Sequence, residues 1–256
     1  MFFFRRILPY IIGATVPVEI WVILTRPRLT PWVVIAEAVV MFIGVGIIAG
    51  WGKRLNEWRH IAFTVSFFAA GGSFFITFIE TPLLSYALSL YIAVFSALFL
   101  EHLFRFIERP SLYRPYALEY TGLVMQISAF YFVSASLFGL RTFVRDAIPL
   151  WALGIIEGVS AAFLAYSALW MGKVRDSEAL RLSLIGGWAL AALFVAHAWL
   201  PAAYTVLGAL LAVWMYLLLG LWRSVLLQKL SKPVLVRYLA FGAAAMFILL
   251  ITARWI

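Results

Sequence analysis

The chain has 256 residues, 65% of them hydrophobic and 12% charged, with a formal net charge of +9 and a mean hydropathy of +1.02. A water-soluble domain needs a polar exterior, so this composition excludes one and points to lipid as the solvent. The basic residues fall in short clusters between apolar runs, which excludes a nucleic-acid-binding domain, and the absence of cysteine excludes disulfides, thiolate catalysis and cysteine-ligated metals.

Crossing a bilayer takes about 20 mostly apolar residues per helix. The apolar–polar alternation of a membrane β-barrel is missing, and a helix is the other way to satisfy a backbone in lipid. The fold class is therefore all-α, a polytopic helical membrane protein. Apolar runs between charged or proline-marked breaks predict nine spans, near 7–25, 31–51, 60–80, 82–106, 116–140, 147–171, 180–199, 201–222 and 235–254.

The first span follows Arg5 and Arg6, as a secretory signal would. No small-x-small cleavage site follows, and Pro17, Glu19 and Trp21 stand where one is expected, so this reads as a retained helix. Spans 3 and 4 meet at Thr81-Pro82, and spans 7 and 8 at Leu200-Pro201. Proline suits the first helical turn and keeps the preceding residue out of the α region, so each proline is expected to open a span. The connection at 107–116, IERPSLYRPY, is too short to fold alone.

With the amino terminus inside, fifteen lysines and arginines fall on the inner side and five on the outer side: Arg26, Arg28, Arg141, Arg145 and Arg254. The positive-inside rule then predicts a multi-pass protein of the cell membrane with a cytoplasmic N-terminus and an outside C-terminus. Tryptophan follows the same boundaries, with Trp21, Trp32, Trp151, Trp199 and Trp255 outside and Trp51, Trp58, Trp170 and Trp222 inside.

Two spans carry a glutamate in a matching setting, IAEAV at 35–39 and IIEGV at 155–159. At an offset of 120, residues 31–53 and 151–173 share Ile35/Ile155, Glu37/Glu157, Val39/Val159, Gly52/Gly172 and Lys53/Lys173. The context continues: Lys53 lies 29 residues before Pro82 and Lys173 lies 28 before Pro201, and RPYAL (114–118) faces RYLAF (237–241). These matches predict an N-terminal helix over 1–30 followed by two four-helix repeats, 31–145 and 146–256. An even number of spans per copy makes the repeat parallel.

A carboxylate within a span is disfavoured by at least ~2.5–3.5 kcal/mol if charged at the helix centre, and it normally faces protein or water. Glu37 and Glu157, with Glu19 on span 1 and His197 at the end of span 7, are the candidate proton- or cation-binding residues. Glu80 is expected at the interface. Together they would form an acidic, outward-opening pocket, and carboxyls shielded from water are candidates for proton exchange. The competing reading pairs the glutamates with Arg26, Arg28, Arg141 or Arg145 and makes them packing elements. Gly46/Gly50 and Gly154/Gly158, each four apart, predict close helix contacts.

Nothing in the chain matches H-E-x-x-H, G-x-S-x-G or a P-loop, and no catalytic residue is assigned. His60, His102 and His197 do not suggest haem ligation, since only the first two share a membrane face. No cofactor or metal is expected. GKRLNEWRHI (52–61) is similar to the loop between the second and third spans of quinone-reactive anchors in the polysulfide and dimethyl sulfoxide reductase group, a likeness of about ten residues. Gly50 stands where that family often has histidine, so membership is not inferred.

Two functions stay open. One is a small transporter or permease-like protein whose glutamates couple to protons or a small cation. The other is a non-catalytic membrane anchor or scaffold, with or without a quinone, binding a membrane or cytoplasmic protein partner through its basic loops. The lipid bilayer is a partner under both, and nucleic acid under neither.

Overall fold

The computed structural model describes residues 2–51, 58–144, 148–172, 174 and 176–253. Gly52, Lys53, Arg54, Arg145, Lys173, Arg175, Arg254 and Trp255 lie outside them. So do two of the matched repeat pairs, in whole or in part, and most of the 52–61 likeness.

Among the described residues there are nine α-helices long and apolar enough to cross a membrane. They are α1 (Phe2–Thr25), α2 (Thr30–Ala49), α3 (Trp58–Ile76), α4 (Pro82–Glu108), α5 (Ala117–Phe143), α6 (Leu150–Met171), α7 (Asp176–His197), α8 (Tyr204–Leu226) and α9 (Lys232–Thr252). Single 3₁₀ turns, Pro27–Leu29 and Pro110–Leu112, precede α2 and follow α4. This is the architecture of a multi-pass helical membrane protein.

The helix ends follow from local chemistry. Pro31 and Pro82 lie in the first turns of α2 and α4, as expected of residues with no N–H to leave unpaired. Pro201 differs: α8 begins only at Tyr204, after an extended Ala203 at its N-cap. The chain from His197 instead folds back through hydrogen bonds from Leu200 N–H to His197 O and from Ala202 N–H to Leu200 O, both 2.9 Å. Similarly α3 stops at Ile76, four residues short of the expected end, because 77–81 turn into Thr81, which is extended ahead of its proline.

Gly50 ends α2 in the left-handed region, at φ 63°, a conformation that a side chain disfavours.

The chain divides into two compact units, 1–129 and 130–256. In the first, the broadest interfaces join α2 to α3 and α1 to α4, with smaller ones between α1 and α2, α3 and α4, and α2 and α4. Helix α1 contributes a buried row of Leu8, Ile12, Val16, Ile20 and Ile23, spaced three or four apart on one face. Gly13 on that row lies against α4, where an added Cβ would stand 2.9 Å from Ala97 Cβ and 3.0 Å from Ala93 O. The Arg5–Glu108 ion pair, 3.1 Å, ties the ends of the same two helices. The amino-terminal part of α5 joins this unit through Tyr91 Oη and Ser128 Oγ, 2.7 Å apart, and through His102 Nδ1 and Thr121 Oγ1, 3.0 Å apart.

In the second unit the broadest interface joins α6 to α7. Backbones meet there directly, since a Cβ on Gly187 would fall 2.5 Å from Gly158 O and 2.7 Å from Ala162 Cβ. Gly158 thus packs as expected, Gly154 meets only a valine methyl, and Gly187 is a contact the spacing argument did not single out. The remainder of α5 packs on α7 through stacked Phe138 and Phe194 rings, 4.3 Å apart, and on α8 through Ala135 against Gly208. Helix α9 contacts α8, and only Gly242 among its residues is buried.

The tryptophans divide. Trp21, Trp32, Trp151 and Trp199 are exposed, as interfacial residues are. Trp58 is buried, packed against Phe42 at 5.2 Å and Trp51 at 5.4 Å, so it belongs to the α2–α3 contact.

Candidate functional site

Glu37 and Glu157 are both fully buried, at 0% exposure. Neither faces lipid, as the cost of an intramembrane carboxyl requires. Their surroundings differ.

Glu37 sits in the first half of α2, on the face that meets α1 and α3. Ser73 of α3 and Glu19 of α1 are the polar side chains that act on it. The Ser73 hydroxyl lies near without closing a hydrogen bond, and Ser73 Oγ, both Glu37 oxygens and Glu19 Oε2 are all buried with no partner. The Glu19 carboxyl also interacts with Thr15, one turn back on α1.

In the same unit, α4 buries Ser85, Ser89 and Ser96, and the hydroxyls of Ser89 and Ser96 are likewise unpartnered. Ser66 of α3 is different, donating to Ala38 O at 2.8 Å and so clamping α3 to α2. Buried polar atoms are almost always paired. The unpartnered oxygens of Glu37, with Ser73 and Glu19 beside them, are therefore a feature of the first unit that packing does not account for.

Glu157 has a partner. Ser134 Oγ donates to Glu157 Oε1 at 2.6 Å and also lies 2.8 Å from Phe130 O, while Glu157 Oε2 has none. The α5–α6 hydrogen bond makes Glu157 part of the second unit's packing.

His197 ends α7 with its Nδ1 buried and unpartnered. Burial also leaves Arg141 with an unpaired Nη1, although its guanidinium lies 5.3 Å from the Trp199 ring. No ion pair joins Glu37 or Glu157 to an arginine among the described residues. The arginine-pairing expectation therefore finds no support at Arg26, Arg28 or Arg141, and Arg145 lies outside the description. Glu80 is exposed, as expected of an interfacial residue.

The described residues contain no group of three or more histidine, aspartate or glutamate side chains that could hold a metal ion. His102 is engaged by Thr121. The buried polar atoms that the sequence did not single out are the hydroxyls of Ser73, Ser89 and Ser96. The signal for Ser89 and Ser96 was present in the spacing of serines along one face of α4, but small hydroxyl residues are common at any membrane helix contact.

No family model, curated protein or solved structure matches this chain.

Proposed function

We propose that this protein is a small transporter or permease-like carrier in which Glu37 exchanges a proton or a small cation. One observation carries the reading: both oxygens of a fully buried carboxyl have no hydrogen-bond partner, beside a second carboxyl, Glu19, and the Ser73 hydroxyl. Releasing a proton from Glu37 leaves a bare charge inside the bundle, so release requires water or a cation to reach it. Loss of the proton is thereby tied to entry of its replacement, which is the exchange a coupled carrier needs. Glu157, hydrogen-bonded to Ser134, is the matched position with the more structural role.

The proposal includes a parallel repeat, with the halves drawn as α1–α4 and α5–α8. In each, the second and third helices share the broadest interface and the fourth also touches the second. In each, the first helix meets the fourth at a glycine–alanine contact, Gly13 on Ala97 and Gly208 on Ala135. The first helix also brings the polar neighbour to the matched glutamate, Glu19 to Glu37 and Ser134 to Glu157. This keeps the sequence pairing of α2 with α6, α3 with α7 and α4 with α8. The unmatched helix becomes α9 instead of α1. The charge count supports an inside N-terminus and an outside C-terminus.

The test is flux in proteoliposomes loaded with a pH-sensitive dye under an imposed cation gradient. The native chain should move protons, Glu37→Gln should not, and Glu157→Gln should retain part of the rate. Equal flux from the native chain and Glu37→Gln would remove the basis of the proposal.

A further inference from the structure

Where α8 ends and α9 begins, a cavity of about 380 Å³ is lined by Lys229, Arg237, Ser224, Tyr216, Tyr238 and Phe241, among others. The local backbone builds it. Gln228 adopts a left-handed φ of 54°, and Lys229 N–H closes on Ser224 O at 2.9 Å, a helix-ending turn that sets Lys229 beside the start of α9. Gly220 leaves room for the Tyr238 ring to lie across α8. Tyr216 then packs against both Tyr238 and Phe241, at ring separations of 5.8 and 5.4 Å.

The charge on this cavity is uncompensated. Residues 179–256 contain no aspartate or glutamate, yet Arg223, Lys229, Lys232 and Arg237 fall within one stretch of them. Neither Lys229 nor Arg237 has an ion-pair partner among the described residues, and both are exposed. Two cations, two phenols and a serine hydroxyl converge on a space that the chain gives no acid of its own.

We infer that this cavity binds the headgroup of an anionic glycerophospholipid. Lysine and arginine would hold the phosphodiester and the Tyr216 and Tyr238 phenols would complete its hydrogen bonds. The rest of the ligand follows from the neighbouring surface: Phe241, Ile248 and Ile251 continue the cavity's side of α9 as an exposed apolar flank, along which acyl chains lie. A soluble phosphate would satisfy the cations and leave that flank unused. This inference is independent of any role for Glu37.

The experiment is native mass spectrometry of the full chain, stripped of lipid in detergent. It is then incubated with an equimolar mixture of phosphatidylglycerol and phosphatidylcholine. The native chain should retain one phosphatidylglycerol in preference, by roughly fivefold for each contributing cation. Lys229→Gln should reduce the preference, and the Lys229→Gln/Arg237→Gln double variant should abolish it. Arg26→Gln/Arg28→Gln, at the α1–α2 link, should leave it intact. Because Lys229 and Arg237 are exposed, circular dichroism should show unchanged helix content in the variants. Equal retention of the two lipids by the native chain, an unchanged preference in the double variant, or displacement of the lipid by excess inorganic phosphate would each overturn the assignment.

Discussion

Replacing Glu37 with methionine should make the protein more stable and, if Glu37 is the exchange group, inactive. The two side chains are close in length and flexibility, so Glu37→Met keeps the volume while removing two buried oxygens that have no partner. An unsatisfied buried polar atom costs about 1–3 kcal/mol. Taking the low end for each oxygen gives a gain of about 2 kcal/mol, which for a chain of this size raises Tm by about 5 °C. The assay is thermal unfolding in a fixed detergent, run beside proteoliposome flux on the same preparation. A residue kept at the expense of stability is the expected mark of function. A loss of more than about 1 kcal/mol in Glu37→Met would refute the reasoning, because the carboxyl would then be contributing packing or hydrogen bonding.

Ser134→Ala removes the one hydrogen-bond partner of Glu157 and should destabilise by about 1–3 kcal/mol. In a double-mutant cycle with Glu157→Met the two changes should couple by at least about 0.5 kcal/mol, measured by the same unfolding assay. Gly187→Val forces a side chain against the Gly158 carbonyl and should cost about 1–3 kcal/mol, whereas Gly154→Ala, which meets only a valine methyl, should stay within about 0.5 kcal/mol. Reporter fusions should place the 107–116 connection inside and the C-terminus outside. A cytoplasmic C-terminus would contradict the charge-based orientation.

Sequence reading reached the helices because their signal is a property of the solvent. A segment that crosses lipid must be apolar along its length, so the spans and most of their ends were legible from hydropathy, charge clusters and prolines such as Pro82. Glu37 and Glu157 were legible for the same reason, as ionisable residues in a run that otherwise excludes them. What hydropathy does not encode is which side of a helix faces its neighbours, since lipid and bundle interior are both apolar. Helix α1 shows this: Leu8, Ile12, Val16, Ile20 and Ile23 form its buried row, yet exposed Ile11 and Val18 are just as apolar. Only the packing revealed that α1 lies on α4 and brings Glu19 to Glu37.

Packing likewise separated the two glutamates, one beside Glu19 and the unpartnered Ser73 hydroxyl and one bonded to Ser134, although their local sequences look alike. The sequence by itself thus determined that this is a multi-pass helical membrane protein with a glutamate set in a similar local sequence in two of its apolar runs. The tertiary structure decided which of those carboxyls goes without a partner, because hydrogen bonding depends on what another helix places within 3 Å or so. No run of residues along a single helix specifies that.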